Sequence, residues 1–191
     1  MSTDQPTTIY ISAASDLMAE REALARMIAA LPVTLAWRIV QTPIAEVEPL
    51  DLEALGSADL YFLVMGSDIR APVGLEWLTA RRVRSSAVAY LKRGVPRTPA
   101  AQVFINDRSM VWQTFGDAAD LSSQVQGVLT EHLVRHAIQY ALTPDEIAAL
   151  EALPASDTAM DQVGRSEEAG HSAVILSRER FEPSGGVVVD E

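Results

Sequence analysis

The 191-residue chain has no cysteine, which removes disulfide staples and thiolate metal centres from consideration. Positive charge is also scarce: 15 Lys and Arg stand against 26 Asp and Glu, a formal net charge of −11. A phosphate backbone rewards Lys and Arg, so no nucleic-acid partner is expected. One basic cluster, "ARRVR" at residues 80–84 with Lys92, Arg93 and Arg97, reads as a solvated helix face and loop rather than a phosphate contact. No apolar run approaches the ~20 residues of a membrane span. The opening "MSTDQPTT" lacks the basic start and apolar block of a secretory signal. A cytoplasmic protein with no membrane partner is therefore expected. The patterns GxxxxGK[ST], GxGxxG and GxSxG are missing too, which sets aside phosphate-loop hydrolysis of ATP, Rossmann dehydrogenation and α/β-hydrolase chemistry. His132 and His136 have a metal-compatible spacing but no evident third ligand in the sequence. Neither a metal site nor a cofactor is expected.

What is present suits a folded domain: hydrophobic residues make up 48% of the chain, enough for a sizeable core. Residues 8–12 read as a short buried strand and 15–31 as a helix, with Ser15 as N-cap and Asp16 at the positive end of the helix dipole. The alternating, β-branched "VTLAWRIV" (33–40) is a second strand. "PLDLEALGSAD" gives a short helix ending near Gly56, and the apolar run 60–66, ending in Gly66, is a central strand covered on both faces. A helix over about 75–84, a fourth strand over 87–92 and a fifth in "AQVFIN" follow, then a long helix over about 117–142. Thr143 caps a last short helix with Pro144 at its first position. Strands alternating with helices imply right-handed crossovers and a mainly parallel sheet. Five strands on this scale fit a flavodoxin-like α/β three-layer sandwich with strand order 2-1-3-4-5.

Two regions are expected: an α/β domain over 1–153 and an acidic, turn-rich tail over 154–191. The tail carries two strand-like islands, "SAVIL" and "GGVVV". It reads either as a mobile acidic segment or as strands that add to a sheet edge of this chain or of a partner.

The strand order also locates chemistry. Strands one and three are neighbours whose crossovers leave on opposite faces, so their carboxyl ends border the crevice where such folds bind ligands. The first strand delivers Ser12 and Ser15, whose hydroxyls and adjacent helix start suit hydrogen bonding and an anion. The third delivers Gly66, Ser67 and Asp68, and the following loop returns to Glu76 at the expected first turn of a helix. Each residue also has a plain structural reading: Ser15 as a cap, Asp68 as a turn residue, Glu76 as a dipole partner and Trp77 as core. Arg21 falls on the apolar face shared by Leu17, Leu24, Ile28 and Leu31. A buried Arg keeps its charge and needs a partner. A structural ion pair with Asp16, Asp59 or a carboxylate of the crevice is expected, ahead of ligand contact.

"IYISAASDLMAERE", then "ADLYFLVMGSD" and Gly-x-Glu in "VGLEW", resemble a bacterial family of domains of unknown function. That family is similar in fold to TIR domains and nucleoside deoxyribosyltransferases, and it often sits in signalling or defence proteins. The resemblance covers roughly residues 7–105 and places Ser12, Asp16, Arg21 and Glu76 at motif positions. It implies a TIR-like fold and an NAD or nucleotide ligand. In the enzymatic relatives, a glutamate near that helix start attacks or stabilises the anomeric carbon as an N-glycosidic bond breaks. Trp77 would then stack on a base. This chain departs from the pattern: Ala13 replaces a second hydroxyl, and "SDIRAPV" lacks the Tyr-Gly and the Ser or Thr expected before the glutamate. Two functions follow. One is a signalling or defence module with a nucleotide crevice, acting mainly through a protein partner that the tail could engage. The other is an N-glycosidic-bond hydrolase or transferase acting on NAD or nucleosides through Glu76. Self-association into a homo-oligomer is left open.

Overall fold

The computed structural model describes residues 6–44, 48–83, 87–106 and 110–154. In chain order these form β1 (Thr7–Ala13), a single 3-10 turn (Ser15–Leu17), α1 (Met18–Ala29), β2 (Trp37–Gln41), α2 (Leu52–Ser57) and β3 (Leu60–Met65). There follow α3 (Ala71–Val83), β4 (Val88–Lys92), α4 (Pro99–Ile105), β5 (Trp112–Phe115), α5 (Ala118–Arg135) and α6 (Pro144–Glu151). The strands form one sheet in the order β2-β1-β3-β4-β5, and every pairing is parallel. This is the flavodoxin-like α/β arrangement that the alternating pattern predicts.

The two-residue period of a strand divides the core in two. On one face Ile9, Ile11 and Phe62 pack beneath α1 and α5, which contribute Leu24, Ile28 and Leu129. On the other, Tyr10, Tyr61 and Leu63 meet Leu55 of α2 and Val73 and Trp77 of α3. All seven residues of β1 are buried, as a central parallel strand covered by helices on both sides requires. Each large apolar side chain so enclosed contributes about 1.5–3 kcal/mol.

Several local expectations shift. "AQVFIN" is helical rather than the fifth strand: Thr98 accepts from the Ala101 N–H and Pro99 opens the helix, a strong N-terminal combination. The fifth strand is Trp112–Phe115. Ser15 is not an N-cap; Ala14 holds that place and no side chain caps the turn. The long helix ends at Arg135, where the chain turns through residues 136–142 and Ala141 adopts a φ of 51°. In that turn His132 Nε2 lies 2.9 Å from the Tyr140 hydroxyl. Most consequential for the site, α3 begins at Ala71, so Glu76 sits in its second turn and away from the dipole end. The tail from residue 155 onward, including both strand-like islands, lies outside the described residues.

Candidate functional site

Parallel strands all point their carboxyl ends one way, and the helices that return the chain start at that end. There, at the tips of β1, β2 and β3, a cleft of about 760 Å³ opens. Residues 13–15 form its floor, residues 42–44 with Glu48 and Leu50 one wall, and residues 68–73 the other. The lining is about equally polar and apolar, with Ile44, Leu50, Ile69, Pro72 and Val73 supplying apolar surface. Ser15, Thr42, Glu48, Asp68 and Arg70 are its polar and charged groups.

Glu76 lies behind this cleft, not in it. Its position on α3 turns it toward the even-numbered residues of β1, and it is 0% exposed. Its Oε1 accepts from the Tyr10 hydroxyl at 2.7 Å. Its Oε2 accepts from the Thr42 hydroxyl at 2.6 Å and from Ser12. Burial raises its pKa, while the hydroxyls of Ser12, Thr42 and Tyr10 and the charge of Arg21 pull the other way. Burial is also the main cause that raises the Tyr10 phenol, with the Glu76 carboxylate adding to it. Among the described residues, Thr42 alone both lines the cleft and bonds to Glu76. Its Oγ1 also accepts from the Ala13 N–H at 3.1 Å.

Arg21 is 4% exposed but forms no ion pair among the described residues, contrary to expectation. Its Nε donates to Gln41 Oε1 at 3.1 Å and its Nη2 to the Thr42 carbonyl, while Nη1 has no hydrogen-bond partner. The expected partners are engaged elsewhere: Asp59 accepts from the Thr8 N–H, and Asp16 from Ser67. Glu76 still favours the charged guanidinium through space, against the lowering effect of burial. Arg21 is thus held by carbonyl oxygens at the end of β2, with the carboxylate acting at longer range.

Asp16, Gly66 and Ser67 form a clamp between the tips of β1 and β3. Asp16 Oδ2 accepts from the Ser67 N–H at 2.9 Å and from its hydroxyl at 2.5 Å. A Cβ on Gly66 would lie 2.6 Å from that oxygen, so a side chain there would have to displace the Asp16 carboxylate. None of the three lines the cleft. Asp68 does, although one of its oxygens already accepts from the Ile69 N–H at 2.9 Å and the Thr98 hydroxyl at 2.6 Å. Trp77 is packed between Tyr61 and Phe104 at 6% exposure and offers no face to a ligand. The basic cluster is partly spent within the chain: Lys92 pairs with buried Glu20 at 2.6 Å and Arg93 meets Asp120 at 3.6 Å.

Of the sequence candidates, then, Ser15 and Asp68 reach the cleft, and Ser12 and Glu76 sit immediately behind it. Thr42, Glu48 and Arg70 belong to no motif and emerge only from the structure. A signal for Thr42 does exist, because β2 also neighbours β1 and its carboxyl end faces the same crevice. No known family, curated protein or solved structure matches this chain. The chemistry of the site therefore follows from its own geometry. A half-open cleft of mixed polar and apolar lining, with a volume within the usual range for ligand pockets, has room for a small organic ligand.

Proposed function

We propose that this chain is a signalling-type domain of the TIR-like kind its motifs resemble. It recognises NAD or another nucleotide or nucleoside in the cleft and acts mainly through a protein partner. The observation that carries this reading is the cleft at the carboxyl ends of β1, β2 and β3, with Glu76 sealed behind it. The apolar half of the lining offers a surface to a base, and Ser15, Asp68 and Glu48 offer polar contacts to a sugar. A carboxylate enclosed by three hydroxyls cannot touch a substrate, so recognition is favoured over turnover. A cytoplasmic place in a bacterial signalling or defence assembly accompanies this proposal. The test is thermal unfolding of the full chain with NAD and adenosine. A ligand at a hundred times its Kd stabilises the fold by about 2.7 kcal/mol, a rise of several degrees in Tm. An unmoved Tm at millimolar ligand would count against the reading.

One observation keeps catalysis as a second reading: a single hydroxyl, that of Thr42, separates the Glu76 carboxylate from the cleft wall. Rotation of the Thr42 side chain away from Glu76 would bare a negative group suited to a developing oxocarbenium ion. Release of nicotinamide or free base by the parent but not by Glu76→Gln would establish it. Absence of release from NAD and nucleosides alike would leave recognition alone.

A further inference from the structure

We infer that Thr42 is the specificity-determining residue of the cleft, and that it accepts a hydrogen bond from a sugar hydroxyl of the ligand rather than donating one to phosphate. This deepens the nucleotide reading above and rests on it. A hydroxyl has one proton to give and two lone pairs to offer. The hydroxyls of Tyr10, Ser12 and Thr42 all donate to the Glu76 carboxyl group and so spend their proton there. Tyr10 and Ser12 are 0% exposed and have no access to a ligand. Thr42, 3% exposed, is the one of the three that lines the cleft, and after accepting from the Ala13 N–H its oxygen retains one lone pair.

The residue is also held in place. Its carbonyl accepts from Arg21 Nη2, and the adjacent Gln41 both accepts from Arg21 Nε and donates to the Arg21 carbonyl at 3.2 Å. The ionisable groups facing Glu76 are Tyr10 and Tyr61 from the sheet and Arg21 from α1, with Asp51 at the start of α2 acting on Tyr10. Arg21 is the cation among them and favours the ionised carboxylate.

Toward the ligand, the cleft then presents acceptors from both walls: Thr42 and the Glu48 carboxylate on one, the second oxygen of Asp68 on the other. A ribose diol brings two donors on adjacent carbons and fits such a set. A phosphate brought to the same spot would set acceptor against acceptor beside two negative charges. Arg70, exposed like Glu48, is the cation among the lining residues and the group a phosphate would meet.

The test uses the full chain and isothermal titration with adenosine, 2′,3′-dideoxyadenosine and AMP, on the parent, Thr42→Val and Thr42→Ser. Losing the hydroxyl contact should weaken binding about tenfold. Dideoxyadenosine lacks both donors and should bind the parent at least about tenfold more weakly than adenosine, and AMP no more tightly than adenosine. Thr42→Val should lose about tenfold for adenosine while leaving dideoxyadenosine nearly unchanged, and Thr42→Ser should retain the parent's preference. Equal binding of adenosine and its dideoxy form by the parent, or clearly tighter binding of AMP, would overturn the inference and leave the nucleotide reading standing. The ligand series on the parent decides this even if a variant fails to fold. Binding of none of the three, nor of NAD in the same titration, would overturn the nucleotide reading itself.

Discussion

Replacing Glu76 tests the buried network most severely. In Glu76→Ala, three hydroxyls lose their acceptor at once. A buried donor left without a partner costs about 1–3 kcal/mol. Tyr10 and Ser12 are fully enclosed and bear that cost, whereas Thr42 can turn toward the cleft. Relief from burying a charge offsets part of the loss, so destabilisation of about 3–5 kcal/mol is expected. Glu76→Gln keeps the shape and one acceptor oxygen and sheds the burial penalty of the charge, so it should stay within about 1 kcal/mol of the parent near neutral pH. The two proteins should differ in pH dependence. Burial raises the Glu76 pKa, so the folded state holds this proton more firmly than the unfolded chain. The stability this group contributes is complete below the ordinary carboxylate pKa and is lost as pH rises through the raised value. On acidification, the parent should gain stability relative to Glu76→Gln, since the other carboxylates are common to both. Urea unfolding at a series of pH values measures this. An unfolding midpoint for Glu76→Ala equal to that of the parent would refute the network.

Two further outcomes follow from single contacts. Gly66→Ala would place a Cβ 2.6 Å from Asp16 Oδ2, so the clamp onto Ser67 must open at a cost of about 1–3 kcal/mol; unchanged urea unfolding would show the approach to be slack. Glu146, which accepts from the backbone and hydroxyls of Thr143 and Thr34, has its pKa lowered to about 2 by those bonds. Its stabilisation is present above the ordinary carboxylate pKa and is lost as pH falls toward the lowered value. Carboxyl NMR should find it still ionised after the exposed glutamates have protonated, and titration alongside them would contradict the assignment.

The topology is legible in the sequence because apolar runs, helix breaks and the strand–helix alternation all point to one parallel sheet. The run at residues 60–66 and the capped Thr143–Pro144 start are the clearest cases. The failures have local causes. "AQVFIN" contains a Val-Phe-Ile run of strand character, but the Thr98–Pro99 start overrides it. Glu76 reads as a helix-start residue because Pro72 and Gly74 suggest a loop, whereas Pro72 fits the first turn of α3. The site is half visible. Strand ends indicate where a cleft would open, and Ser12, Ser15, Asp68 and Glu76 do gather around it. Periodicity marks which face a residue takes but not how deep it sits, so sequence alone does not separate a cleft-lining carboxylate from one sealed behind the wall. Arg21 shows the same limit: its burial is predictable, but the carbonyl partners supplied by a neighbouring strand are not.

The central claim is that the carboxyl ends of β1, β2 and β3 form one ligand-binding cleft. Its most direct test is a two-dimensional amide NMR titration of the full chain with NAD and with adenosine. The account predicts saturable shifts concentrated at residues 13–15, 42–44 and 68–73, with the amides of α5 and α6 unmoved. Saturable shifts confined to another surface, or none at millimolar ligand, would contradict it.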